Sequence, residues 1–236
     1  MGRIDEAISH IETIDDLTER AFQLSGLIST LFKIKGVVLI VTGQPAFEIY
    51  ANATSDHPAV ELAIFSGVPT PRITLEVMRG QLHAKGGQGR WRLAGIPIRL
   101  LGQTTLAYPD LCRDFNTDHG IVKLVPAEEL AAECILASIH PEPDFEAQTR
   151  ARLLLINGLS EAFHMDWPKL QELCTQPDFR VGEELAKMRA SAKKDVDAMG
   201  AHRDDISHPS SHQHVPLPVP VKKGPKELDA DPTNLF

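Results

Sequence analysis

Gly43, Asp56 and Glu61 are residues whose types and spacing could do chemistry in the first third of the chain. Carboxylate oxygens bind divalent cations such as Mg²⁺, and a glycine turn lets backbone N–H groups approach phosphate oxygens. Together these residues could form a site for a metal ion and a nucleotide. Simpler interpretations also hold: Asp56 precedes His57 and Pro58 in a pattern typical of a turn, and Gly43 suits any strand-to-helix turn.

A strand, a helix and a second strand are expected to position these residues. VVLIV at 37–41 is a continuous apolar run, as in a strand that is covered on both faces. Pro45 suits the first turn of a helix, where its missing N–H group would be unpaired anyway. VELAIF at 60–65 alternates in the manner of a strand, so Glu61 falls within the second strand.

Further elements are predicted on both sides of this stretch. Thr13 resembles a helix N-cap with Asp16 in the first turn, and Gly36 ends that helix. The elements predicted later are strands at 73–78, 96–101 and 121–125, a turn at 86–89, and helices from Pro126 to residue 199. Pro97 indicates either an edge strand or the start of a strand.

This order of elements resembles the nucleotidyltransferase superfamily, in particular the small bacterial nucleotidyltransferase-like proteins of toxin–antitoxin and phage-defence genes. In that family a strand ends in Gly-Gly or Gly-Ser, a helix follows, and the next strand carries two carboxylates one residue apart. VVLIVTGQPAFEIY at 37–50 resembles the first part, and AVELAIF at 59–65 stands in the place of the second. VKLVPAEELAAECILASI at 122–139 resembles the strand and helix that follow the family's sheet.

The resemblance implies an α/β fold with a small mixed sheet, a following helical region, and a nucleotide site. It implies nucleotide binding at Gly43 and Gln44, and catalysis and metal binding at Glu61 and Asp56. In the family, paired acids hold Mg²⁺ against the triphosphate of an NTP, and the chemistry is mainly positioning and charge neutralisation.

The sequence departs from the family pattern at three places. Gly43 is followed by Gln44, the first acid position falls on Ala59, and the place of the third acid falls on Arg99. Two functions of different classes therefore follow. The first is a transferase that moves an NMP group from an NTP to RNA or protein. The second is a catalytically inactive subunit that binds or regulates a protein partner.

The composition limits which of these functions the chain can have. Hydrophobic residues make up 42% and charged residues 24% of the 236 residues, which suits a globular protein with a sizeable core. The net charge of -8 argues against a protein that coats nucleic acid through bulk charge, although nucleotide or local RNA binding stays open. Three widely spaced cysteines indicate no disulfide framework, and no apolar run approaches a membrane span, so we expect a soluble cytoplasmic protein.

Three regions are expected along the chain: a nucleotidyltransferase-like core at 1–125, a helical region at 126–199, and a disordered tail at 200–236. The tail is rich in proline and histidine and too poor in aromatic residues to offset the entropy of ordering. A protein partner is expected at the helical region or at the tail, whose last residues Leu235 and Phe236 could serve as apolar anchors.

Two other groups have competing interpretations. Trp91, between Arg90 and Arg92, could stack on a nucleotide or RNA segment, or could anchor the edge of the core. The tail histidines have spacing compatible with a weak transition-metal site, or are simply solvated; they are His208, His212 and His214.

Overall fold

The computed structural model of the chain describes residues 2–54 and 57–204. The helices are α1 Arg3–Glu12, α2 Leu17–Ile34, α3 Gly43–Ala51, α4 Pro71–Leu75, α5 Ala127–Ala137, α6 Phe145–Leu159, α7 Trp167–Thr175 and α8 Gly182–Asp204. A π-helix covers Glu76–Gln81, and a 3-10 turn covers Pro109–Leu111. The strands are β1 Val38–Val41, β2 Val60–Ser66, β3 Lys85–Gly87, β4 Arg90–Leu93, β5 Ile96–Gln103, β6 Arg113–Thr117 and β7 Gly120–Leu124.

Within the described residues, seven strands form one mixed sheet in the order β3-β4-β5-β2-β1-β7-β6. β1 runs antiparallel to β2, whereas β5 lies parallel to β2 and β7 lies parallel to β1. The outer pairs β3–β4, β4–β5 and β6–β7 are antiparallel hairpins. The predicted α/β class with a mixed sheet is therefore confirmed.

Helix α2 packs against the centre of the sheet. Its buried residues Leu24, Leu27, Ile28 and Leu31 recur at helical spacing, so that one face of the helix is apolar. That face contacts β1, β2 and β7. The later helices pack on one another, with α5 against α6 and α7, and α6 against α8. Buried side chains from the sheet and from these helices form one continuous cluster.

The N-terminal prediction was wrong about where the long helix begins. The N-cap of α2 is Asp16, whose side chain accepts hydrogen bonds from the backbone N–H groups of Thr18 and Glu19 at 2.8 and 3.0 Å. Thr13 instead follows the last residue of the separate helix α1, and its hydroxyl donates to the carbonyl oxygen of His10. Aspartate so close to the apolar run was the stronger cap signal.

The predicted strand at 73–78 is also wrong. Thr70 caps a helix there, because its hydroxyl oxygen accepts a hydrogen bond from the N–H group of Ile73 at 3.2 Å. Pro71 occupies the first helical position, which its ring favours. The segment therefore forms α4 and continues directly into the π-helix Glu76–Gln81.

The remaining strand predictions are confirmed at 37–41, 60–65, 96–101 and 121–125, with small shifts of the ends. Pro97 lies near the start of β5, as expected, but β5 is not an edge strand, since β4 and β2 flank it. The last helix extends to Asp204, beyond the predicted boundary at 199. Residues 205–236, which hold most of the predicted tail, lie outside the described residues, and the division into regions stays a prediction.

Candidate functional site around Glu61 and Arg99

The end of β1 and the start of β2 meet at the glycine turn after β1, and the middle of β5 lies beside them. The N–H group of Thr42 donates to the carbonyl oxygen of Glu61 at 3.2 Å, which joins the end of β1 to the start of β2. In the parallel pair of β2 and β5, Glu61 lies directly opposite Arg99. Opposite residues on neighbouring strands share a face of the sheet, so Glu61 and Arg99 point to the same side. Arg99 occupies the place that the resemblance gives to a third acid, so this place lies next to Glu61.

Arg99 and Glu61 form an ion pair at this point. Arg99 Nη1 lies 2.6 Å from Glu61 Oε1. The side chain of Arg99 is 55% exposed, whereas that of Glu61 is only 14% exposed. The carboxylate is therefore largely withdrawn from water, and the guanidinium neutralises one of its oxygens from the solvent side.

The other carboxylate oxygen of Glu61 lies against the turn at Gly43. Gly43 has φ +63, a conformation that glycine adopts at little cost. A Cβ atom there would also overlap Glu61 Oε2, so a larger residue would strain the backbone and displace the end of the Glu61 side chain. Helix α3 has no side-chain cap at Thr42 and no acid in its first turn. The Glu61 carboxylate supplies negative charge near this helix N-terminus instead.

Gln44 is engaged within its own helix. Its side-chain Nε2 donates to Glu48 Oε1 at 2.8 Å, an i,i+4 contact along α3. Glu48 itself is buried. Of the four residues predicted for the site, Gly43 and Glu61 are adjacent, Gln44 follows them on α3, and Asp56 lies outside the described residues. Ala59, at the first acid position, is half-buried beside α2 and α3.

A row of arginines continues from Glu61 across the sheet. Arg90 in β4 lies directly opposite Arg99, and Arg92 lies opposite Lys85 in β3. Arg90 and Arg92 are two residues apart in one strand and so share a face. All four cations are exposed. We call this set, Lys85, Arg90, Arg92 and Arg99, the cationic face.

Trp91 does not belong to the cationic face. It points the other way from Arg90 and Arg92, and it is only 4% exposed. The interpretation of Trp91 as a surface platform for stacking is therefore wrong, and the alternative of a core position is correct. The sequence signal was the alternation in RWRL, where every second side chain faces the same side.

A second cluster of polar and aromatic side chains lies between α3 and the loop before α7. The guanidinium of Arg113 lies 5.2 Å from the ring centroids of both Tyr50 and Phe163. Burial raises the pKa of the Tyr50 hydroxyl well above its usual range. Glu128 Oε1 accepts from the N–H group of Asp166 at 2.7 Å. The sequence carries no signal for this cluster, because its members are far apart in the chain and share no motif.

Nucleophilic cysteine chemistry has no support in the structure. Burial raises the pKa of Cys112, Cys134 and Cys174 to about 11, so the reactive thiolate is scarce at neutral pH. The histidines predicted as a weak metal site at 208–214 lie outside the described residues. In the part of the chain that the structure describes, no helix is both long and apolar enough to cross a membrane.

No protein-family model matches the sequence, and no curated protein matches it. Among solved structures, the chain is similar to the antibiotic-resistance factor ANT(2'')-Ia, at 12% sequence identity and a TM-score of 0.41. The match covers 82% of this chain and all of that chain. A TM-score this low carries no weight for fold or activity, so a function for this chain depends on its own geometry.

Proposed function

We propose that this chain is a nucleotidyltransferase-like protein that binds the phosphate groups of a nucleotide without metal-dependent transfer. The observation that carries the proposal is the ion pair of Arg99 with Glu61 at 2.6 Å. A cation of the chain itself, Arg99, lies where the resemblance expects the third of the acids that would hold Mg²⁺. Support for the nucleotidyltransferase-like label comes from the order of β1, the glycine turn, α3, β2 and the adjacent β5.

At the positions where the resemblance expects acids, the described residues supply one carboxylate, Glu61. Mg²⁺ prefers near-octahedral oxygen coordination and is usually held by one or two carboxylates together with phosphates. Among residues 2–54 and 57–204, no group of three or more His, Cys, Asp or Glu side chains could hold a metal ion. Glu61 already forms an ion pair with Arg99, and a metal ion would have to displace that guanidinium. Asp56 is the acid that the transferase hypothesis still requires.

The cationic face supplies the attraction for phosphate. Arginine presents planar N–H donors that match phosphate oxygens, and such charge-assisted hydrogen bonds are the strong ones. Arg90 lies directly opposite Arg99, which in turn lies opposite Glu61 beside the Gly43 turn. The face is small and belongs to a chain with a net charge of -8, which favours a nucleotide over a long RNA as the ligand.

Equilibrium binding of labelled ATP and GTP, in Mg²⁺ and in EDTA, tests the proposal. We expect binding that persists in EDTA and weakens by about tenfold in Arg90→Gln, which loses one charge-assisted contact. Arg72→Gln is the matched control, because Arg72 is an exposed arginine on α4, outside the cationic face. Absence of binding, or equal loss in both variants, would overturn the proposal.

The transferase hypothesis makes the opposite prediction in a second assay. The chain is incubated with α-labelled NTPs, Mg²⁺ and a pool of RNA and protein acceptors. Transfer of label that disappears in Glu61→Gln would establish the enzyme and refute our proposal. A partner protein bound through the helical region or the tail, a toxin–antitoxin or defence role, and a cytoplasmic location are further predictions for this chain.

A further inference from the structure

A cavity of about 540 Å³ opens on the side of the sheet opposite the cationic face. Leu62 and Leu100 line it, and they directly follow Glu61 and Arg99 in β2 and β5. Because successive side chains of a strand point to opposite faces, the cavity and the ion pair lie on opposite sides of the sheet. The cavity is therefore a separate candidate site.

The walls of this cavity are mainly apolar. Phe32 comes from α2, Ile64 from β2, and Pro69 and Leu75 from the segment that leads through α4. Leu75 is 46% exposed, so apolar surface of the lining reaches the solvent. Ligand pockets typically have volumes of 300 to 1,000 Å³, predominantly apolar walls and a few placed polar groups. This cavity has that volume and those walls.

The polar side chains of the lining are few: Thr74 and Gln88 can donate or accept hydrogen bonds, whereas Arg79 and Trp91 only donate. Arg79 is the charged residue of the lining, and the π-helix Glu76–Gln81 carries it; such helices are frequent at functional sites. Its Nη2 donates to the carbonyl oxygen of Gly86 at 3.1 Å, and a guanidinium has further N–H donors. The indole N–H group of Trp91, also in the lining, is buried and has no hydrogen-bond partner among the described residues. A buried donor without a partner costs free energy, and a ligand atom that accepts a hydrogen bond from it would recover part of that free energy.

We propose that this cavity binds an apolar monoanion, a medium-chain carboxylate, with its alkyl chain against the leucines and its carboxylate at Arg79. The apolar walls account for the binding of the alkyl chain of this ligand. The single positive charge of the lining accounts for the single negative charge of the head group. The proposal goes beyond nucleotide binding and does not depend on it, since it uses the other face of the sheet.

The test uses decanoate below its micelle concentration and the fluorescence of Trp91. The chain has two tryptophans, so Trp167→Phe leaves Trp91 as the sole reporter. We expect saturable quenching or a spectral shift on titration with decanoate. Decanol, which has the same chain without the charge, is expected to bind about tenfold more weakly.

Paired variants locate the site. Arg79→Gln is expected to weaken decanoate binding by about tenfold and to leave decanol binding unchanged, whereas Arg72→Gln changes neither. Thr74→Phe places a large ring in the lining and is expected to abolish both, whereas Arg72→Phe, on the same helix but outside the lining, does not. Thermal unfolding of every variant confirms that it is folded.

Four results would overturn the proposal. Absence of a saturable Trp91 response would remove the site. Binding that survives Thr74→Phe in a folded protein would place the ligand elsewhere. Equal affinity for decanoate and decanol, or an unchanged decanoate affinity in Arg79→Gln, would remove the anionic head group from the proposal.

Discussion

The ion pair between Arg99 and Glu61 is expected to stabilise the fold more than an ordinary surface pair does. Exposed pairs contribute about 0.2–1 kcal/mol, and breaking a buried pair costs about 3–5 kcal/mol. Here the arginine is half exposed and the carboxylate is 14% exposed, so the pair falls between these limits. We expect a coupling free energy of about 1–2 kcal/mol, discounted for the exposure of the guanidinium.

A double-mutant cycle measures this coupling through urea unfolding of the parent, Glu61→Gln, Arg99→Met and the double variant. Arg99→Met alone is expected to be the worst variant, because it leaves a largely buried carboxylate without its cation. The control is the more exposed pair of Lys187 and Glu184 on α8, whose side chains are 66% and 32% exposed and for which we expect about 0.3 kcal/mol. A coupling for Arg99 and Glu61 no larger than that of the control would refute the reasoning from burial.

Three further predictions concern the backbone and the titrating groups. Gly43→Ala is expected to lower the free energy of unfolding by about 1–2 kcal/mol, and more than Gly36→Ala, because both positions have positive φ and the new Cβ at Gly43 must also displace the Glu61 carboxylate. Urea unfolding of the two variants checks this, and equal losses would contradict it. Cys174 is expected to react with a disulfide reagent at pH 8 about a hundredfold more slowly than an unfolded cysteine, since its pKa is about 11. A rate like that of the unfolded chain would contradict it. Burial and the neighbouring His10 lower the pKa of His119, so the unfolded chain binds more protons, and stability should fall as the pH drops below about 6.5. Comparison of unfolding at pH 7 and pH 5 with His119→Asn, which should lose part of this dependence, tests the sign.

Strands with a strong local pattern were predictable from the sequence. The apolar run at 37–41 and the alternation at 60–65 each fit one kind of element, and the structure has strands at both. The segment at 73–78 alternates too, but the helix-start signal of Thr70 and Pro71 just before it outweighs the alternation. A period of two over six residues was too short to decide between strand and helix.

The candidate site was predictable only in part, because it depends on register between distant strands. The resemblance indicated that position 99 takes the place of a third acid, and the structure sets Arg99 opposite Glu61. The local sequence does not contain this pairing, since 38 positions separate the two residues. The contact of Glu61 with Gly43 likewise depends on β2 lying antiparallel to β1. The pairing of strands in the sheet therefore determines that Arg99 lies beside the Glu61 carboxylate.

The two proposed sites use opposite faces of the same strands, and this makes their tests independent. In β4, Arg90 belongs to the cationic face, and its neighbour Trp91 lines the apolar cavity. Arg90→Gln should therefore weaken nucleotide binding and leave decanoate binding unchanged, and Arg79→Gln should do the reverse. If either variant weakened the binding of both ligands by the same factor, the two ligands would share one site, or the two sites would depend on one another. The alternation of side chains across the sheet would then fail to explain how this chain separates its polar and apolar ligands.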